Sequence, residues 1–139
     1  MMTIKIGNGI ERDISYYGME LISSPEAFGG EIKDSNIVKI DFPEEDGDTV
    51  YIPPNVAIKS FDYKIRLAFI AQTGQTPSVK IIDFMTAILG KEITIKNKYK
   101  GVSLVGYAKK YSDVEYFRDQ KAAIFDLTIY VPSGKVDPL

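Results

Sequence analysis

Phe61-Asp62-Tyr63-Lys64-Ile65-Arg66-Leu67-Ala68-Phe69 is the stretch on which the fold turns. Phe61, Tyr63, Ile65, Leu67 and Phe69 stand at alternate positions, with Asp62, Lys64, Arg66 and Ala68 between them. A side-chain period of two places all five on one face of a pleated strand, whereas a helix would scatter them around its circumference. If the strand runs over residues 56–70, at roughly 3.3 Å per residue it is about 50 Å long. A strand of that length is expected to bend or to cross between two sheets.

Downstream, residues 73–77 break the chain. Thr76 is a candidate N-cap, Pro77 suits the first helical position, and Gly90 stands where a left-handed cap belongs. Between them Ile81, Ile82, Phe84, Met85, Ile88 and Leu89 fall within one arc at 100° per residue, with Lys80 and Asp83 outside it. The spacing predicts an amphipathic helix over 77–89, packed on the sheet through Ile82, Met85 and Leu89. Three strands follow: 92–96, with Ile93 and Ile95 alternating with polar residues; 102–111, reached through the hairpin 97–101; and a last one beyond a turn near Ser112-Asp113. That last strand alternates Ala123, Phe125, Leu127, Ile129 and Val131.

Upstream the pattern is weaker. Ile4 and Ile6 suggest a short strand ending at the turn Gly7-Asn8-Gly9. Strands are also expected over 16–22, 36–42 and 49–52, the last two joined through the turn at 43–48. Runs of strands with one helix predict a mainly β (α+β) chain, a β-sandwich or β-barrel with one flanking helix. The 139 residues suit a single domain, 1–139.

Composition narrows the function. The chain has no histidine and no cysteine, which removes the commonest general base, the commonest metal ligand and all thiol chemistry. No phosphate loop, nucleophile elbow or zinc motif is present. Glu44-Glu45-Asp46-Gly47-Asp48 does not match a twelve-residue calcium loop and reads as a solvated turn. No enzyme activity, metal or cofactor is therefore expected. No secretory leader or membrane span is legible, so the expected site of synthesis is the cytosol. Lys96, Lys98 and Lys100, with Tyr99 among them, resemble a nucleic-acid surface, yet the net charge is −2 and no sequence-specific nucleic-acid binding is expected. Residues 1–55 hold four basic and eleven acidic side chains; residues 56–121 hold twelve basic and six acidic. Such asymmetry steers one subunit onto another, unless the two halves mix in space.

Residues 89–101, Leu-Gly-Lys-Glu-Ile-Thr-Ile-Lys-Asn-Lys-Tyr-Lys-Gly, resemble the helix-to-hairpin passage of small tail proteins in Bacteroides-type prophages. Tyr116-Phe117-Arg118-Asp119 and the run from Phe125 to Pro132 are similar too. Together with the alternating strand and the helix, residues 56–136 resemble the tail-tube and distal-tail family of long-tailed phages. The resemblance implies a ring subunit around a DNA channel, with a hexamer of itself and other tail proteins as partners. It also implies residence in the virion tail after assembly in the host cytoplasm. Lys96, Lys98, Tyr99 and Lys100 are the candidate assembly contacts. The alternative is a small-molecule or carbohydrate-binding β-barrel with Phe61, Tyr63 and Phe69 lining its pocket.

Overall fold

The computed structural model describes residues 2–25, 29–30, 38–41, 48–51, 58–117 and 121–139, with backbone only at 38–41 and 48–51. Among the described residues ten strands run in chain order: β1 Met2–Ile6, β2 Arg12–Asp13, β3 Met19–Ser23, β4 Val38–Asp41, β5 Asp48–Tyr51, β6 Phe61–Ile70, β7 Glu92–Asn97, β8 Val102–Phe117, β9 Ala122–Val131 and β10 Asp137–Pro138. The same residues hold one α-helix, α1, over Pro77–Ile88, and one turn of 3-10 helix over Ile14–Tyr17. Eight strands form one antiparallel sheet in the order β2-β1-β7-β8-β9-β6-β3, with β10 added to β8. Among the described residues strands β4 and β5 pair only with each other, as a separate two-stranded sheet.

β6 bears out the alternation. Tyr63, Ile65, Leu67 and Phe69 are buried, Phe61 is half-buried, and Asp62 and Lys64 are exposed. It pairs with β9 residue for residue, from Phe61 with Val131 to Ile70 with Ala122. Matching periods put Phe125, Leu127 and Ile129 on the same inner face, where all are buried. The length of β6 differs from expectation. It begins at Phe61; residues 59–60 are not strand and 56–57 lie outside the described residues.

The long strand that bends is β8, with 16 residues. Its first part pairs with β7, from Val102 with Asn97 to Tyr107 with Glu92. Its second part pairs with β9, from Tyr107 with Tyr130 to Phe117 with Ala122. The change of partner falls at Gly106–Tyr107, where a methyl group added to Gly106 would overlap the Tyr130 carbonyl oxygen. Glycine lets the two backbones approach at that corner. The turn expected near Ser112-Asp113 is instead a register shift inside β8, between Ser112 and Glu115. Asp113 does take a turn-like φ of +52°, but the ladder resumes beyond it, so the irregularity is absorbed as a bulge. The strand expected over 16–22 is split: Asp13 caps the 3-10 turn by accepting from the Ser15 N–H, and β3 starts only after Gly18.

The sheet curls without closing into a barrel. Six neighbour spacings separate β2 from β3 in the strand order, about 29 Å if the sheet were flat. The chain between Asp13 and Met19 makes six Cα steps, at most about 22 Å even when extended, and part of it is helical. The two edges must therefore approach. Across the interior, Asn97 on β7 donates to the Tyr63 hydroxyl on β6 at 3.2 Å, although β8 and β9 separate those strands in the order.

Helix α1 starts at Pro77 as expected, but Thr76 makes no side-chain capping bond. It ends where the Leu89 N–H reaches the Met85 carbonyl and Gly90 turns left-handed at φ +73°. Ile81, Phe84, Met85 and Ile88 are buried in the curl. Ile82 and Leu89, expected to pack, are 54% and 43% exposed. Both stand at one margin of the apolar arc, about 80–100° around from Ile81, which faces the core.

Candidate assembly surface

The β7–β8 hairpin is built around Asn97. A buried amide must satisfy both its donors and its acceptor, and Asn97 does so by tying three segments together. Its Nδ2 donates to Ser24 Oγ at 2.9 Å and to Tyr63 Oη at 3.2 Å, and its Oδ1 accepts from the Tyr99 and Lys100 N–H groups. That pattern is an Asx-type turn, so the tip conformation is fixed from inside the core. Gly101 completes the turn at φ +69°. The tip therefore presents Lys98 and Tyr99, the latter 70% exposed, from a rigid base.

Lys96 lies on the strand below the tip. Its Nζ is 3.1 Å from Glu11 Oε1, and Thr3 Oγ1 donates to the same oxygen at 3.0 Å. The Lys96 ammonium, then the Thr3 hydroxyl, hold the Glu11 carboxyl below the usual glutamate range. The pair is thus complete at neutral pH and is lost as pH falls through the lowered pKa. Lys96, Lys98, Tyr99 and Lys100 share one end of the molecule, yet Lys96 is committed to Glu11. The acidic first third and the basic middle of the chain meet at this pair, so the two halves do mix in space here.

Sequence reading missed a second charged surface, on the outer face of β6, β9 and β8. Arg66 donates to Asp126 at 2.9 Å and lies 3.5 Å from Glu115. Lys64 lies between Asp126 and Asp113, at 3.7 and 3.8 Å, and Lys109 reaches Asp62 at 3.4 Å. The signal was present as the polar residues alternating with the apolar five, but their partners depend on strand register. The aromatic lining of the alternative reading does not assemble as a pocket. Tyr63 is fully buried beside Asn97, and Phe69 meets only the floor of an open groove of about 390 Å³ beside Tyr17 and Phe84. No group of three or more acidic residues placed to hold a metal occurs among the described residues, and the turn at 44–46 lies outside them.

The curled antiparallel sheet with one helix packed on it has a counterpart among solved structures. The Dit protein of SPP1, described as a paradigm of the hub adsorption apparatus of phages infecting Gram-positive bacteria, matches with a TM-score of 0.63 at 9% identity. The alignment covers 96% of this chain and 51% of that one, so this chain spans about half the length of Dit. The tube-terminating cap of the anti-feeding prophage aligns over 99% of this chain and 88% of its own, at 14% identity and a TM-score of 0.42. The Dit match establishes the shared fold. No family model and no curated protein sequence matches.

Proposed function

We propose that this chain is a structural subunit of a phage or prophage tail, a tube, distal-tail or adaptor component without enzymatic activity. The observation that carries this reading is the fold shared with a tail hub protein over nearly the whole chain. In the proposal the 1–139 domain self-associates into a hexameric ring around a DNA channel, resides in the virion tail and is assembled in the host cytoplasm. The core supports treating it as one domain, since a single apolar cluster runs from Met2 to Val131. The hairpin tip, with Lys98, Tyr99 and Lys100 above Lys96, is the surface proposed to meet neighbouring tail proteins. A tip pinned by a buried amide loses little freedom on docking, which favours such a role.

The test is native mass across a concentration series, with electron microscopy of the largest species. A closed ring, six-fold or of another order with an open centre, is the expected result. A chain that remains monomeric both alone and with tail proteins encoded beside it would overturn the proposal.

A further inference from the structure

Beside α1 lies an open strand edge with an apolar flank. One side of the helix, at Lys80, Asp83 and Ala87, lines the groove next to Tyr17 and Phe69. The other side carries Ile82 and Leu89, 54% and 43% exposed, with Val79, 52% exposed, on the solvent side between Ile82 and Asp83. Leu89, just past the helix end, forms a parallel bridge to Ala108, so the C-terminal end of this side meets β8. β7 ends its pairing at Tyr107. From Lys109 to Phe117 the β8 edge on that side has no partner strand among the described residues, because β9 occupies the other edge. Tyr111 and Tyr116 pair with Leu127 and Ala123, both inward-facing, yet remain 43% and 55% exposed. Unpaired backbone beside exposed apolar side chains is the arrangement that accepts an added strand.

The same chain holds a strand pair outside the main sheet. Among the described residues β4 and β5 bond only to each other, and a two-stranded ribbon is marginal on its own. Its segment, 38–51, has one lysine against five acidic residues. The β8 edge opens with Lys109-Lys110; Lys109 already meets Asp62, and the acids Asp113 and Glu115 already face Lys64 and Arg66 of β6, which leaves Lys110 as the charge tested at this edge. Lysines and bulges on β8 disfavour pairing of like with like, whereas Lys110 favours a partner strand that carries Asp41 or Asp48.

We propose that the β4–β5 ribbon of one copy adds to the free edge of β8 in a second copy, beside the Ile82–Leu89 flank of α1. The contact joins two different surfaces, so it propagates and closes only if its rotation permits a ring. It rests on the self-association proposed above.

The cysteine-free chain makes the test direct. Lys39→Cys and Ser112→Cys proteins are mixed and treated with a short bismaleimide, with each protein alone as control. The mixture is expected to give several-fold more cross-linked dimer than either control. Lys110→Glu in the Ser112→Cys protein should reduce the yield, and Asp41→Lys with Asp48→Lys in the Lys39→Cys protein should restore it. Ile82→Lys, on an exposed side chain, should reduce it with an unchanged melt. Equal or greater yield from Ser112→Cys alone would indicate β8-to-β8 pairing and overturn the proposal, as would no cross-link in any mixture or indifference to Lys110→Glu. Closed rings without the mixed cross-link would reject this contact and leave the tail reading intact. The mixed cross-link in open fibres alone would do the reverse.

Discussion

Leu67 and Asn97 illustrate the two kinds of residue that hold this fold. Leu67 is 1% exposed in the middle of β6, so Leu67→Ala removes apolar contact and leaves a cavity that the rigid ladder with β9 cannot easily refill. The expected loss is about 2–5 kcal/mol, read from urea unfolding. Asn97 is equally buried but works through polar bonds. Asn97→Ala would strand the Tyr99 and Lys100 N–H groups and weaken the tie to Tyr63. A cost of about 1–3 kcal/mol is expected, with faster amide exchange at 99–101 as the specific sign. An unchanged exchange pattern there would show that the tip does not depend on the amide. Leu67 was legible in the sequence because its neighbours repeat its period. Asn97 was not, because an Asn before Lys-Tyr-Lys-Gly reads simply as a turn residue; only the return of β6 and Ser24 to the same point makes it central.

At the scale of elements, the helix was found correctly and faced slightly wrongly. Sequence periodicity defines an arc, but the neighbours decide which part of the arc is covered. Ile82 stands at the margin and is exposed, so Ile82→Asp is expected to leave the cooperative melt nearly unchanged, within about 0.5 kcal/mol. Ile88, fully buried, is the contrasting site, and Ile88→Asp is expected to abolish the folded state by burying an unpaired charge. Circular dichroism melts of the two variants separate the outcomes, and equal destabilisation would reject the rotation described here. The corner in β8 is the other decisive element. Gly106→Val would drive a branched side chain into Tyr130 and Ile129, and a loss of at least about 1–3 kcal/mol is expected by chemical denaturation. A neutral result would mean that the corner has slack.

For the whole molecule, the charge runs along the chain meet at one described point, where Glu11 of the acidic first third pairs with Lys96 of the basic middle. Lys96 is neutralised by Glu11, so reversing it would set two carboxylates together and disturb the fold as well as the surface. Lys98 and Tyr99 are the cleaner probes of the proposed assembly tip, both being exposed. Lys98→Glu with Tyr99→Ser is expected to keep the wild-type melt while weakening association with tail partners. The difference should narrow as added salt shortens the screening length to a few ångströms. Sedimentation over a salt series makes the measurement. Identical association at low salt would reduce the tip to a solvated turn.

The sequence by itself determined that β6 and β9 are strands with one apolar face, that a helix starts at Pro77 and stops before Gly90, and that histidine and cysteine chemistry is absent. These are local matters, set by period, by proline and glycine geometry, and by composition. Tertiary structure alone decided that β8 runs through Asp113, that the sheet curls until β2 and β3 approach without closing, and which margin of α1 stays exposed. Each of these turns on hydrogen bonds and packing between residues far apart in the chain. A bulge and a turn share the same local φ, and only the partner strand tells them apart.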